Sequence, residues 1–435
     1  MSNIQKQKNI YRFYLSCFVF RLLLEYSYIA FVNRFFEDEG FEVYGRGVAY
    51  IESWFIFLFG CSQVPKHLDL PSDYLVALAF FVFIGPVLVF YGYSEQNRWS
   101  LYLIFAQYIL MTQFRKNLCL QSLRKIGTSS FATWLAVLVS LLSTVWIVDR
   151  GGVQNFNLDL NLVYDFRDKS TETIYNGIPG YFVAWSTTVA GPFLIAQTLR
   201  TGRYWLTIAV LFLHIFWFGT TSHKSVLFYG LIPIIMFHST KRRWIVSFLP
   251  IGISVVIVVA LAIYSINSDL MAGSMFVRRV LFVPPRLTFL YHAFFSRENM
   301  VYWSNSFLSY FVKYPYQEPI PLMIGGELND TSLWANVGFF GTGFMHAGFF
   351  GAAIYAFAAG YILALLDSIA RSGVPNWFVL ATVTVPFYNL YLNSDLPTLL
   401  LTHGLGLGLV LSYFMIETND KSRNLLANSN AEKDA

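Results

Sequence analysis

Long apolar runs alternate with short polar breaks along almost the whole chain. About twelve of these runs approach the ~20 residues that a helix needs to cross a bilayer. They fall at roughly 11–32, 46–61, 73–93, 99–114, 130–149, 179–199, 204–219, 224–239, 244–266, 336–368, 376–393 and 396–416. Two longer polar segments interrupt the pattern, at about 150–179 and 267–335. Residues 418–435 form an Asn-rich polar tail of the kind that stays disordered. The pattern therefore predicts an all-α, polytopic membrane domain over 1–417, with both long segments inserted in it as loops. No Gly-, Ser- or Pro-rich linker divides that domain, and no internal repeat is evident.

Charge orients the predicted helices. With the N-terminus in the cytoplasm, Lys6, Lys8 and Arg12 lie inside. So do Arg115, Lys116, Arg124, Lys125, Arg200, Arg203, Lys241, Arg242, Arg243, Arg371, Lys421 and Arg423. All stand in short loops or tails, where Lys and Arg mark the cytoplasmic side. Both termini are then cytoplasmic, and the acidic run Glu37, Asp38, Glu39 and Glu42 faces outward with the two insertions.

Composition agrees with this picture. The chain of 435 residues is 56% hydrophobic and 13% charged, where soluble domains are about a quarter charged. Its net charge of +5 is largely a record of topology, so no nucleic-acid partner is expected. Cys17, Cys61 and Cys119 offer no outer-side pair, and no disulfide is expected. The first run follows a basic start without a small-residue cleavage site, which reads as a retained anchor.

Within the runs, Arg21 and Glu25 are four apart on one helix and are expected to neutralise each other. Glu52 has no evident local partner, and an intramembrane carboxylate of that kind is a functional candidate. The outer insertions hold the more telling chemistry. Arginine is scarce on the outer side of a membrane protein, yet the second insertion contains Arg278, Arg279, Arg286 and Arg297, with Lys313. Guanidiniums are forked donors suited to phosphate oxygens. Eleven residues separate Arg286 from Arg297, which would put both on one face of a helix. The aromatics Phe289, Tyr291, Phe294, Phe295, Tyr302 and Trp303 suggest helices lying on the membrane surface. The bland reading pairs these arginines with Glu298, Glu318, Glu327 and Asp330.

Three further features belong to the same face. Arg167 stands in the first insertion beside Asp165, Asp168 and Lys169. Lys224 follows the turn Gly219-Thr220-Thr221-Ser222-His223 at the start of a helix, where backbone N–H groups attract anions. The lead into the tenth run holds Glu327, Asn329, Asp330 and Asn336, then Gly338, Gly341, Gly343, His346, Gly348 and Gly351. Gly343, Ala347 and Gly351 repeat at four-residue spacing, a pattern for close helix packing. His346, Asp330 and Glu327 are the general-base candidates, and His403 is a weaker histidine of the same type. There is no glycine-rich phosphate loop, no metal-ligand histidine pair and no serine elbow. Neither a metal nor another cofactor is expected, and an activated lipid phosphate is the natural donor.

In layout the chain resembles the Wzy-type O-antigen polymerases, the oligosaccharide repeat-unit polymerases of Gram-negative inner membranes. The likeness is concentrated in FRDKSTETIYNG around Arg167, in FVRRVLFVPPRLTFLYHAFFSREN, and in WANVGFFGTGFMHAGFFGAAIYAFAAG. It implies a GT-C-like bundle of about twelve helices with two enlarged periplasmic loops. The implied activity joins undecaprenyl-diphosphate-linked oligosaccharides at the periplasmic face, moving a chain onto the sugar hydroxyl of another lipid-linked unit. The diphosphate ligands it implies are Arg279, Arg286 and Lys224, supported by Arg167, Arg278 and Arg297. Implied partners are membrane lipid, the lipid-linked donor and acceptor, and a chain-length-regulating co-polymerase. The rivals are an O-antigen ligase acting on lipid A core, a lipid-linked oligosaccharide flippase and a membrane acyltransferase.

Overall fold

A computed structural model describes residues 3–45, 47–118, 120, 123–124, 127–159, 170, 173–240, 244–328, 330 and 333–416. Helix is the only regular secondary structure among the described residues, with no strand among them. The main helices are α1 (Asn3–Ser27), α2 (Val48–Gln63), α3 (Pro71–Tyr93), α4 (Arg98–Asn117) and α5 (Ser129–Asp149). They continue with α6 (Gly177–Arg200), α7 (Tyr204–Thr221), α8 (Lys224–Ser239), α9 (Ile245–Asn267) and α10 (Val283–Phe295). Last come α11 (Ile320–Gly326), α12 (Phe339–Arg371), α13 (Asn376–Leu392), α14 (Leu396–Leu401) and α15 (Leu405–Phe414). Seven helical stretches among the described residues are long and apolar enough to cross a membrane. Every apolar run in the sequence falls on helix, but several are shorter or broken. The predicted tail lies outside the described residues.

The chain divides into two compact units. The first comprises Met1–Cys119, Arg242–Leu363 and Phe387–Leu399. Its centre is α3, buried on all sides between Pro71 and Tyr93 apart from half-buried Asp73. A helix apolar all round has to be enclosed by other helices. Around it, α1 packs on α9 and α2 packs on α3. Asp73 starts α3 by accepting the main-chain N–H groups of Asp69 and Leu70 at 3.0 and 2.9 Å, and pairs with Arg115 at 3.0 Å.

The expected Arg21–Glu25 pair is present. Arg21 Nε donates to Glu25 at 2.9 Å and Nη2 to Ser53 at 2.7 Å, while Tyr50 and Tyr93 donate to the other carboxylate oxygen. Glu52 is corrected: it is not alone but accepts from Tyr91 at 2.6 Å, Arg98 at 3.1 Å and Tyr102. The partners come from α3 and α4, so sequence proximity could not have revealed them.

The first part of the second insertion, residues 274–295, is helical rather than a loop. A π-helical stretch, Ser274–Phe282, runs directly into α10. Phe289, Tyr291 and Phe295 are buried in the first unit, with Tyr291 donating to Ala335 O at 2.9 Å. For these three aromatics the surface-helix expectation is overturned by packing, whereas Tyr302 is exposed. Arg297 also falls beyond the end of α10, in an exposed turn, so it does not share a helical face with Arg286.

The second unit comprises Leu120–Lys241, Ala364–Pro386 and Leu400–Ala435. In it α5 packs on α6 and α15, and α6 packs on α7 and α8. Ile147, Ile174, Val183, Trp217, Phe218 and Val226 form its apolar cluster, and Trp217 donates to Thr144 at 3.1 Å.

Candidate functional site

Two groups of residues in the first unit combine charge, partial burial and unusual backbone. The first surrounds Arg286. Gly40 takes φ +79°, closing the short turn after Glu37–Glu39. A Cβ at that position would lie 2.8 Å from a terminal nitrogen of Arg286. Only glycine lets the guanidinium sit this close while holding a left-handed φ. The Arg286 guanidinium also lies over the Phe41 ring at 5.3 Å. Among the described residues it makes no hydrogen bond or ion pair, while its neighbour Arg278 is paired with Glu39 and stacks on Phe36 at 4.1 Å. Burial pushes the Arg286 pKa below its ordinary value; Glu39 opposes that shift and Arg278 adds to it. A half-buried guanidinium beside a second one, with its donors uncommitted, is a seat for an anion. The acidic partner of Arg278 turned out to be Glu39, from the first outward-read turn, rather than the carboxylates near it in sequence.

The second group surrounds His346. Helix α12 breaks immediately after it, with Ala347 at φ −154° and Gly348 at φ +57°, ψ −135°. The break folds the first turns of α12 back, so a Cβ on Gly351 would stand 2.0 Å from Gly343 O. The glycine repeat does serve packing, but between the two halves of one broken helix. His346 is fully buried. Its Nδ1 accepts the main-chain N–H of Trp303 at 3.1 Å, and its Nε2 faces Asp395 Oδ2 at 3.1 Å. A main-chain N–H can only donate, so the ring proton must be on Nε2, toward Asp395. The other Asp395 oxygen accepts Tyr355 OH at 2.7 Å and Leu396 N at 3.0 Å. Trp303 completes the set: its indole N–H donates to Tyr355 at 3.0 Å, and its ring stacks on His346 at 4.9 Å.

The two groups share a scaffold. Helix α10 carries Arg286 at its start and His292 near its end, and His292 packs on Phe344 at 4.5 Å and faces Phe340 O at 3.1 Å. Phe340 and Phe344 belong to the folded-back turns that end at His346.

The remaining candidates are placed differently. Arg279, Glu327 and Asp330 are exposed. Lys224 is half-buried at the first residue of α8, in the second unit, after a turn in which Ser222 takes φ 55°. Arg167 and its charged neighbours lie outside the described residues. Asp395, Tyr355 and Trp303 were missed by sequence reasoning; the one available signal was an aspartate ahead of Pro397 at a helix start. Comparison of the chain with protein-family models, with curated proteins and with solved structures finds no match.

Proposed function

We propose that this chain is a membrane glycosyltransferase of the O-antigen polymerase type, a GT-C-like bundle of about twelve crossings with both termini cytoplasmic. In this reading it uses a polyprenyl-diphosphate-linked oligosaccharide as donor, at the periplasmic face of the inner membrane. The observation that carries the reading is Arg286, a half-buried guanidinium with no bond to another described residue, beside Arg278. Arginines placed where charge develops on a departing diphosphate lower the barrier to its loss.

The reaction itself is simple. The acceptor hydroxyl oxygen bonds to the donor's anomeric carbon while the bond from that carbon to the diphosphate breaks, and the electron pair leaves with the diphosphate. Arg286, Arg278 and Arg279 receive the leaving group, with Arg297 as a further cation. The hydroxyl proton goes to a base, for which His346 is the buried candidate and Asp330 and Glu327 the exposed ones.

The test is chain extension. Purified protein in lipid nanodiscs, given only lipid-diphosphate oligosaccharide, should build a ladder of products without nucleotide or metal. Arg286→Ala should slow extension at least ~100-fold, the scale of losing one transition-state donor, and Arg279→Ala should slow it less. Normal ladders from both variants would remove the diphosphate assignment. Transfer to lipid A core, with no extension, would instead make the protein a ligase.

A further inference from the structure

His346 is the buried base candidate, yet neither of its ring nitrogens is open. Its accepting atom, Nδ1, is taken by the chain's own Trp303 N–H. The way this happens is unusual. Residues 300–304 lie across the break in α12 as a short strap, with Val301 N donating to Met345 O at 3.1 Å and Tyr302 N to His346 O at 2.9 Å. Tyr302 and Trp303 both take left-handed φ values, 48° and 55°, which non-glycine residues seldom adopt, least of all in succession. The strap also lays the Trp303 indole flat on the imidazole, 4.9 Å between centroids and 12° between planes.

Beneath the strap the imidazole is already prepared. Asp395 holds the proton on Nε2, so the lone pair is on Nδ1. Asp395 is itself held by Tyr355 OH and Leu396 N. A carboxylate fixed by two donors and aimed at one imidazole nitrogen leaves the other nitrogen as the only basic atom. What stands at that nitrogen is an N–H donor backed by a flat aromatic ring.

We propose that the Trp303 strap occupies the seat of the acceptor sugar: its N–H stands where the attacking hydroxyl would donate to His346 Nδ1, and its indole stands where the sugar ring would lie. Asp395 is the positioning residue for this seat. The inference rests on the glycosyl-transfer reading and adds to it the accepting atom, the residue that selects it, and a strap that must lift before a hydroxyl can reach it. When the strap lifts, a sugar O–H replaces the N–H at Nδ1. On attack, the hydroxyl proton passes to Nδ1, the oxygen bonds to the anomeric carbon, and the diphosphate leaves with the electron pair. The resulting imidazolium is stabilised by Asp395.

The experiment reads His346 directly by carbethoxylation with diethyl pyrocarbonate, mapped by peptide mass spectrometry on the full chain in nanodiscs. The reagent needs an accessible, unprotonated ring nitrogen, and exposed His238 serves as the internal standard. In the unaltered protein, His346 should react at least tenfold more slowly than His238. Trp303→Ala should bring the two within threefold of each other, and methyl hexosides at high concentration should then protect His346 while inorganic diphosphate does not. Equal reactivity in the unaltered protein, or no protection by hexosides in Trp303→Ala, overturns the seat. Tyr355→Phe keeps the ring and removes one hydroxyl, so it guards against a variant that merely unfolds; it should also raise His346 reactivity, by a smaller factor. In chain extension, Asp395→Asn should lower kcat about 100-fold with little change in acceptor KM, whereas a purely structural role would move both or neither. If the labelling pattern holds but no lipid-linked sugar is ever extended, the polymerase reading fails and the sugar seat stands.

Discussion

Single residues in this chain are legible by type and illegible by partner. Arg21 and Glu25 could be paired on sight because both lie on one helix, four residues apart. Glu52, Arg278 and His346 could not, since their partners arrive from α4, from the turn before α2 and from the segment before α14. His292 shows how burial alone sets chemistry. It is enclosed within α10, and burial pushes its pKa from the ordinary 6.5 down to about 4. Because the folded form resists protonation, stability should be intact above pH 6.5 and fall as the pH drops toward 4. The unfolded chain takes up a proton in that window and the folded chain does not. The loss should reach about 3 kcal/mol. Thermal melting of the detergent-solubilised protein across that range checks it, and His292→Gln should flatten the slope.

At the scale of elements, the apolar pattern located the long helices but not α10 or α11, nor what the helices do. The run at 336–368 looks continuous, yet α12 breaks at Ala347–Gly348 and folds back so that Gly343 meets Gly351. Glycine at 348 is required by its backbone rather than by space, because a Cβ there would meet only Met300 Cε, at 3.5 Å. Gly348→Ala should therefore cost about 1–3 kcal/mol through strain, lowering the unfolding midpoint. Gly252→Ala, on α9 with nothing near its Cβ, should leave that midpoint unchanged or raised. A larger loss at 252 than at 348 would contradict the strain argument. The second insertion is the clearest departure from the pattern. Its aromatics suggested a surface helix, but periodicity reports only that a face is apolar, and α10 uses that face inside the first unit.

At the scale of the molecule, the first unit encloses charge at two depths, and the two should differ in energetic weight. Arg21 is fully buried and Glu25 nearly so, with three hydroxyl partners between them. Glu25→Leu would strand a buried guanidinium, and removing one partner of such a pair costs about 3–5 kcal/mol. The Glu52–Arg98 pair is more exposed, so Glu52→Gln should cost about 1 kcal/mol or less. Unfolding midpoints of the two variants in one detergent decide the matter, and a larger drop for Glu52→Gln would contradict the depth argument. The sequence by itself determined the helical class, the positions of the apolar runs and the cluster of outer-read arginines. Those follow from bilayer thickness and from residue charge, which act locally along a chain. Only the tertiary structure decided that Arg286 stands uncommitted beside a paired Arg278, and that His346 is aimed by Asp395 and covered by Trp303. The Arg278–Glu39, His346–Asp395 and Trp303–His346 contacts join residues 43 to 239 positions apart. No local pattern encodes them, because they exist only once the helices that carry them have packed.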